Sequence, residues 1–147
     1  MIAGTRARFF ARRMPRKDAM KIFMIADDSP VIRKVAKRII EDLGFVVVEA
    51  ADGLQAQALC ADNMPDGILV DWDMPGMDGL ELVQWLGAYP KAENLKVLFC
   101  TSEVNVPLMT KAKRAGADGF LLKPFDRDQI SSKFAEAGLL GESPIAA

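Results

Sequence analysis

Five side chains in this sequence are of types that can do chemistry together: Asp27 and Asp28, adjacent, then Asp71, Thr101 and Lys123. Each stands at the end of a short apolar run: KIFMIA, GILV, KVLFC and GFLL. Two carboxylates about 4 Å apart repel by about 4 kcal/mol at an effective dielectric near 20. That is enough to move a pKa by about three. Three carboxylates gathered in one place would not stay ionised beside a single lysine, so the set calls for a divalent cation. With oxygen ligands only, Mg²⁺ is the natural choice, and it usually shares its shell with phosphate oxygens. A carboxylate held beside Mg²⁺ and a lysine can act as a nucleophile toward phosphorus, and a threonine hydroxyl can donate to a phosphoryl oxygen. The chemistry these residues would do is Mg²⁺-dependent phosphorylation of an aspartate.

Such chemistry requires elements that bring residues nearly a hundred positions apart to one place. The chain reads as five strand-helix units. Strands are expected at 21–26, 45–50, 67–71, 96–100 and 119–122. Ser29-Pro30 opens a first helix, with serine as N-cap and proline in the first turn, and Gly44 ends it. Along it Val31, Ile32, Val35, Ala36, Ile39, Ile40 and Leu43 recur at helical spacing, while Arg33, Lys34, Lys37, Arg38 and Glu41 take the other face. Further helices are expected at 54–62, 79–89, 106–115 and 126–137, the third with Leu80, Val83 and Leu86 inward. Regular alternation of this kind means a parallel sheet covered by helices on both faces, a doubly wound α/β fold. Continuously apolar strands fit burial on both sides. In such sheets ligands bind beyond the carboxyl ends of the strands, which is where the five residues stand.

Each residue alone has a plainer role. Asp27-Asp28 could serve a helix start, Asp73 a tight turn, and Thr101 a helix cap. Lys123 could be a solvated loop residue, and Asp78-Gly79 reads as a turn and cap. Met74 and Met77 read as packing residues. Lys111, Lys113, Arg114, Arg127 and Lys133 read as solvated helix surface, with a basic docking face as the alternative. The plain roles of the first set must all hold at once, at the one edge where such folds bind ligands, and this weighs against them.

The 147 residues suit one domain, and half are hydrophobic, enough for a real core. No apolar run approaches the ~18 residues of a membrane span. Histidine is absent, which excludes histidine triads, histidine metal sites and a phosphohistidine on this chain. Cys60 and Cys100 lie in apolar surroundings and read as reduced core thiols, which fits a cytoplasmic location. The net charge of −1 conceals an asymmetry: residues 1–21 hold seven bases and one acid, and the remainder twelve bases and nineteen acids. The acidic body disfavours nucleic-acid binding. Residues 1–20 read as a basic, poorly ordered extension, with a lipid- or nucleic-acid-binding arm anchored by Phe9 and Phe10 as the alternative. Residues 141–147 read as a tail.

Taken together, "ADDS" with Asp27-Asp28, "VDWDMPGMDG" with Asp71, "FCTSE" with Thr101 and "GFLLKPF" with Lys123-Pro124 resemble the receiver domains of two-component response regulators. Asp28, Asp71, Thr101 and Lys123 follow one another at intervals of 43, 30 and 22 residues, similar to those of the family. The likeness spans roughly Met20 to Leu139. Asp71-Trp72 and the short tail look most like the chemotaxis-type single-domain members. The resemblance implies a flavodoxin-like five-stranded parallel sheet of order 2-1-3-4-5, with the receiver over residues 21–140. It implies that Asp71 accepts phosphate from a phosphohistidine on a sensor kinase or histidine phosphotransfer protein. Asp28, Asp71 and the backbone carbonyl of Asp73 would bind Mg²⁺, with Asp27 close by. Lys123 would pair with the phosphoryl group, and the Lys123-Pro124 bond would be cis. Thr101 would move toward the phosphate and Phe120 would swing inward, reshaping the face of the fourth helix, fifth strand and fifth helix. Phe120 stands where many members carry tyrosine, which leaves no hydroxyl for a partner to read. Asp73 and Glu103, each two residues beyond Asp71 and Thr101, flank the entry to the phosphate.

Two other functions compete. "ILVDWDMPG" also looks like the nucleophile loop of haloacid-dehalogenase-type phosphatases, with Asp71 as nucleophile and Asp73 as acid and base. In those enzymes the loop usually opens the chain, whereas here the acid pair precedes Asp71 by 43 residues, and no insertion of cap size encloses a substrate. A degenerate receiver that binds without phosphorylation is the other, and the intact set of five residues argues against it. The residues after the last helix are too few for an output domain, so the expected output is another protein, bound by a monomer or weak dimer.

Overall fold

The computed structural model describes residues 20–141. The basic extension up to residue 19, with Phe9 and Phe10, and the tail from residue 142 lie outside the described residues. Five strands, β1 (Lys21–Ala26), β2 (Phe45–Ala50), β3 (Gly67–Asp71), β4 (Lys96–Thr101) and β5 (Gly119–Leu122), alternate with five helices. These are α1 (Pro30–Asp42), α2 (Gly53–Asp62), α3 (Gly79–Ala88), α4 (Val106–Ala115) and α5 (Arg127–Glu136), with a short 3₁₀ turn at Pro90–Ala92 before β4. Every strand pair is parallel and the order is β2-β1-β3-β4-β5. This is the expected doubly wound, flavodoxin-like fold.

Two cores flank the sheet, and the strands feed them alternately. Phe23, Ile25, Leu69, Leu98 and Cys100 pack with Ala36, Ile39 and Ile40 of α1 and with Ile130 and Phe134 of α5. Met24, Ala26, Ile68, Val70 and Phe99 face the other way, onto Ala56 and Cys60 of α2, Leu82, Val83 and Leu86 of α3, and Leu108 and Ala112 of α4. A run such as FMIA looks uniform in sequence because both of its faces are buried. On the α1/α5 side Phe23 lies with its ring centroid 4.6 Å from Phe134 and 5.9 Å from Phe45, a compact aromatic centre.

The structure departs from the sequence pattern in a few places. β2 and β5 are edge strands, so Val46 and Leu122 are exposed although their runs are apolar. On α1, Val31 is 70% exposed and Val35 is also exposed. Arg33, expected on the solvent face, is instead tucked in, its side chain 17% exposed. Leu82 is buried and Leu80 only half so. β4 extends one residue beyond the apolar run KVLFC, which makes Thr101 the last residue of the strand. α3 stops at Ala88 and α5 spans 127–136, each slightly shorter than expected.

Candidate functional site

All five strands deliver their carboxyl ends to one edge of the sheet, and register decides which side chains meet there. Asp27 directly follows β1, and its backbone N–H donates to the Ala50 carbonyl of β2 at 3.1 Å. Asp71 ends β3 opposite Cys100 of β4. Thr101 ends β4, and its carbonyl accepts from the Lys123 N–H at 2.9 Å, which draws the end of β5 alongside. The Lys123-Pro124 peptide bond is cis.

Helix starts shape the rim. Ser29 caps α1, its side chain accepting from Ile32 N–H. Asp78 caps α3 in a reciprocal capping box with Glu81, the turn-and-cap role read from sequence. The chain between Asp71 and Asp78 folds back tightly, with the Gly79 N–H donating to the Trp72 carbonyl at 3.0 Å. A Cβ on Gly79 would sit 2.2 Å from the Asp71 carbonyl oxygen, so this position admits no side chain without moving the aspartate. Met74 is buried beneath the loop and Met77 packs on the same core.

The side chains converge closely. The Lys123 Nζ lies 2.7 Å from Asp27 Oδ2 and 3.0 Å from Asp71 Oδ1, bridging the two. Asp27 is 3% exposed, Asp71 6% and Thr101 4%. The other oxygen of Asp27 accepts from the Ser29 N–H at 2.9 Å. Carboxylate oxygens of Asp27, Asp28 and Asp71 all lie within 4.8 Å of one another. Asp28 is exposed, and among the described residues its side chain is engaged in no hydrogen bond or ion pair.

Charge has not been balanced here. Burial pushes the Asp71 carboxyl up to about 6; the hydrogen bond from Lys123 opposes this, and the charges of Asp27 and Asp28 add to it. Burial works to lower the Lys123 pKa, but its hydrogen bonds to Asp27 and Asp71 and their charges outweigh it, and the net shift is upward. Lysine therefore stays charged and can offset one of three acids. An all-oxygen donor set with uncompensated negative charge fits a hard divalent cation such as Mg²⁺.

Other expected participants stand apart. The Thr101 hydroxyl is turned to its own loop, donating to the Glu103 carbonyl at 3.1 Å and accepting from the Glu103 N–H at 3.3 Å. Phe120 is half-buried, edge-on to Phe99 at 6.2 Å. The Asp73 side chain is exposed and lies outside the carboxylate cluster. Arg127 pairs with Asp42 and Lys133 with Glu136, while Lys111, Lys113 and Arg114 are solvated. Sequence reasoning missed Arg33. Its Nη1 donates to the Asp27 carbonyl at 2.7 Å and its Nε to Glu49 Oε1 at 2.9 Å. The pairing of Ile25 with Glu49 would have pointed to it, had the β1/β2 register been known.

Known proteins share this arrangement. A family model, the response regulator receiver domain, matches residues 23–135. Chemotaxis protein CheY-3 of Vibrio cholerae is 36% identical over 115 residues, 78% of this chain and 88% of that protein. Chemotaxis protein CheY of Pseudomonas aeruginosa is 35% identical over 115 residues, covering 78% of this chain and 92% of that protein. The solved structure of Vibrio cholerae chemotaxis protein CheY4 superposes with a TM-score of 0.76 at 30% identity, covering 81% of this chain and 99% of that one. No helix among the described residues is long and apolar enough to cross a membrane. With its strand order, its acidic edge and these relatives in agreement, the chain belongs to the response regulator receiver domain family, CheY-like signalling proteins whose general mechanism is phosphorylation of an aspartate by a kinase.

Proposed function

We propose that Asp71 is the phosphoacceptor of a receiver spanning residues 21–140, and that its phosphorylation switches the face formed by α4, β5 and α5 toward a protein target. The observation that carries this reading is the buried Asp71 carboxylate, bridged to Asp27 by Lys123 and within 4.8 Å of an oxygen of Asp28. The donor is a phosphohistidine on a kinase or phosphotransfer protein, since this chain has no histidine of its own. An Asp71 oxygen forms the new O–P bond as the P–N bond breaks, and imidazole leaves with the bonding pair and takes up a proton.

Asp28, Asp71 and the Asp73 backbone carbonyl would hold Mg²⁺, with Asp27 nearby, and the ion would supply positive charge against the oxygens of the transferring group. Lys123 already touches Asp71 Oδ1 and is the chain's own cation for the phosphoryl oxygens. The Thr101 hydroxyl, now satisfied within its loop, exchanges the Glu103 carbonyl for a phosphoryl oxygen. That movement drags the β4–α4 loop and opens room beside Phe99 for the Phe120 ring. The protein catalyses only its own phosphorylation and dephosphorylation and works through binding, in the cytoplasm, as a monomer or weak dimer. The phosphatase reading is set aside, because its acid and base, Asp73, has an exposed side chain outside the cluster.

The test is phosphate incorporation from a small phosphodonor. About one equivalent is expected in wild type with Mg²⁺. None is expected after chelation, or in Asp71→Asn, whose amide is not a nucleophile. Sustained release of many equivalents from a generic phosphate ester would favour the phosphatase instead, and no incorporation with Mg²⁺ present would sink the switch.

A further inference from the structure

The acidic edge has a support that its chemistry does not explain. Arg33 sits one turn into α1, and its guanidinium forks. Nη1 donates to the Asp27 carbonyl at 2.7 Å, and Nε donates to Glu49 of β2 at 2.9 Å. Lys37, one turn further on, stands 3.8 Å from the other Glu49 oxygen. No backbone N–H of the described residues donates to the Asp27 carbonyl, so the guanidinium is its partner. Asp27 is thus held on every polar group: its N–H by Ala50, its carbonyl by Arg33, one carboxylate oxygen by the Ser29 N–H, the other by Lys123. The neighbouring Asp28 has an exposed side chain free to take a ligand. The peptide that Arg33 grips is the one that leads into Asp28.

From this geometry we infer that Arg33 is a positioning residue: oriented by Glu49, it clamps the β1–α1 turn so that Asp28 presents its carboxylate to the divalent cation. The inference rests on the function proposed above. An ordinary surface ion pair contributes little and orients little. This one differs in that the arginine side chain is only 17% exposed and spends one donor on a backbone carbonyl, fixing a peptide rather than another flexible side chain. Groups that orient metal ligands typically matter tenfold or more in metal affinity although they never touch the ion. Lysine substitutes at best in part, because a single ammonium lacks the planar fork that reaches both partners at once.

The test is Mg²⁺ titration of the full chain, read by Trp72 fluorescence in a Trp85→Phe background, together with amide exchange in metal-free protein. Arg33→Ala is expected to weaken Mg²⁺ binding about tenfold, with Arg33→Lys no better than half-way back on a logarithmic scale. Glu49→Gln, which frees the guanidinium to swing, is expected to cost about threefold, a smaller share of the same ligand-orienting effect. The Asp28 and Ser29 amides should exchange faster in Arg33→Ala before any metal is added, while Arg38→Ala, an exposed arginine on the same helix, changes neither readout. Affinity of Arg33→Ala within twofold of wild type, or full recovery in Arg33→Lys, would overturn the clamp and leave the phosphoacceptor reading standing. A wild type that binds no Mg²⁺ overturns both. Should Arg33→Ala not fold, Arg33→Lys and Glu49→Gln decide the matter.

Discussion

The two ends of the sheet use aspartate in opposite ways. At the amino edge Asp66 accepts from the Ile22 N–H at 2.7 Å and Asp118 from the Val97 N–H at 2.8 Å. Each is exposed and meets a backbone donor that its strand would otherwise leave free. A cavity of about 510 Å³ opens beside this edge, lined by Tyr89, Glu93, Arg114 and Asp118, yet no buried carboxylates gather there. At the carboxyl edge Asp27 and Asp71 are buried, share one lysine and face Asp28. The first arrangement satisfies orphan N–H groups and stabilises the fold. The second confines like charges: burial and the neighbouring acids hold the Asp71 pKa up at about 6, which weakens the metal-free fold near neutral pH. The same side chain meets a fixed backbone donor at one pole; at the other, two acids share a single lysine and three carboxylates stand within 4.8 Å of one another.

This contrast can be broken by measurement. The largest effect on stability is expected from Lys123→Met, which leaves Asp27 and Asp71 buried without their cation. A loss of about 3 kcal/mol in metal-free protein is expected from urea unfolding at pH 7, and Mg²⁺ should return part of it. A variant as stable as wild type would mean that the acids are not in conflict.

Asp71→Asn should do the reverse. In the folded state the Asp71 pKa is raised to about 6, against 3.8 as its ordinary value. The folded protein therefore holds this proton more tightly than the unfolded chain. Below about pH 3 the acid is protonated in both states and costs nothing; as pH rises toward 6 the unfolded chain releases its proton first and the folded state loses ground. Removing the carboxylate should stabilise metal-free protein by about 2 kcal/mol at pH 7, the roughly 3 kcal/mol of the raised pKa less about 1 kcal/mol for the lost hydrogen bond from Lys123, and by little or nothing at about pH 3. Equal gains at both pH values would show that charge is not the cause.

The smallest effect belongs to the amino edge. Asp66→Ala should destabilise by about 1 kcal/mol, the worth of one hydrogen bond, with no dependence on Mg²⁺. If Asp66→Ala proved metal-sensitive, or stabilising like Asp71→Asn, the two poles would not be chemically distinct after all.

Much of this was legible before any coordinates. Asp27, Asp28, Asp71, Thr101 and Lys123 each follow an apolar run, and a parallel sheet must deliver all such ends to one edge. Less visible was anything that depends on which strand lies outside. Val46 and Leu122 look as buried in sequence as Ile68, because apolarity records a residue's preference and not its position in the sheet. Helical periodicity places Arg33 on the solvent face, because it assigns a side chain to one face of its own helix. It says nothing of a strand alongside that offers a glutamate. The Thr101 hydroxyl turns to Glu103, and no local pattern announces this, since a threonine at a strand end has several acceptors within reach.

By itself the amino-acid order determined the alternation of strands and helices, the helix caps, and the gathering of acids at one pole, because these follow from periodicity, turn chemistry and the handedness of strand-helix-strand units. Tertiary structure alone decided that Lys123 spans Asp27 and Asp71, that Arg33 grips the Asp27 carbonyl, and that the Asp28 carboxylate has no hydrogen-bond or ion-pair partner among the described residues. Those contacts join residues separated by up to about a hundred positions, and only the packing of β2, β3 and β5 around β1 and β4 brings them within hydrogen-bonding distance.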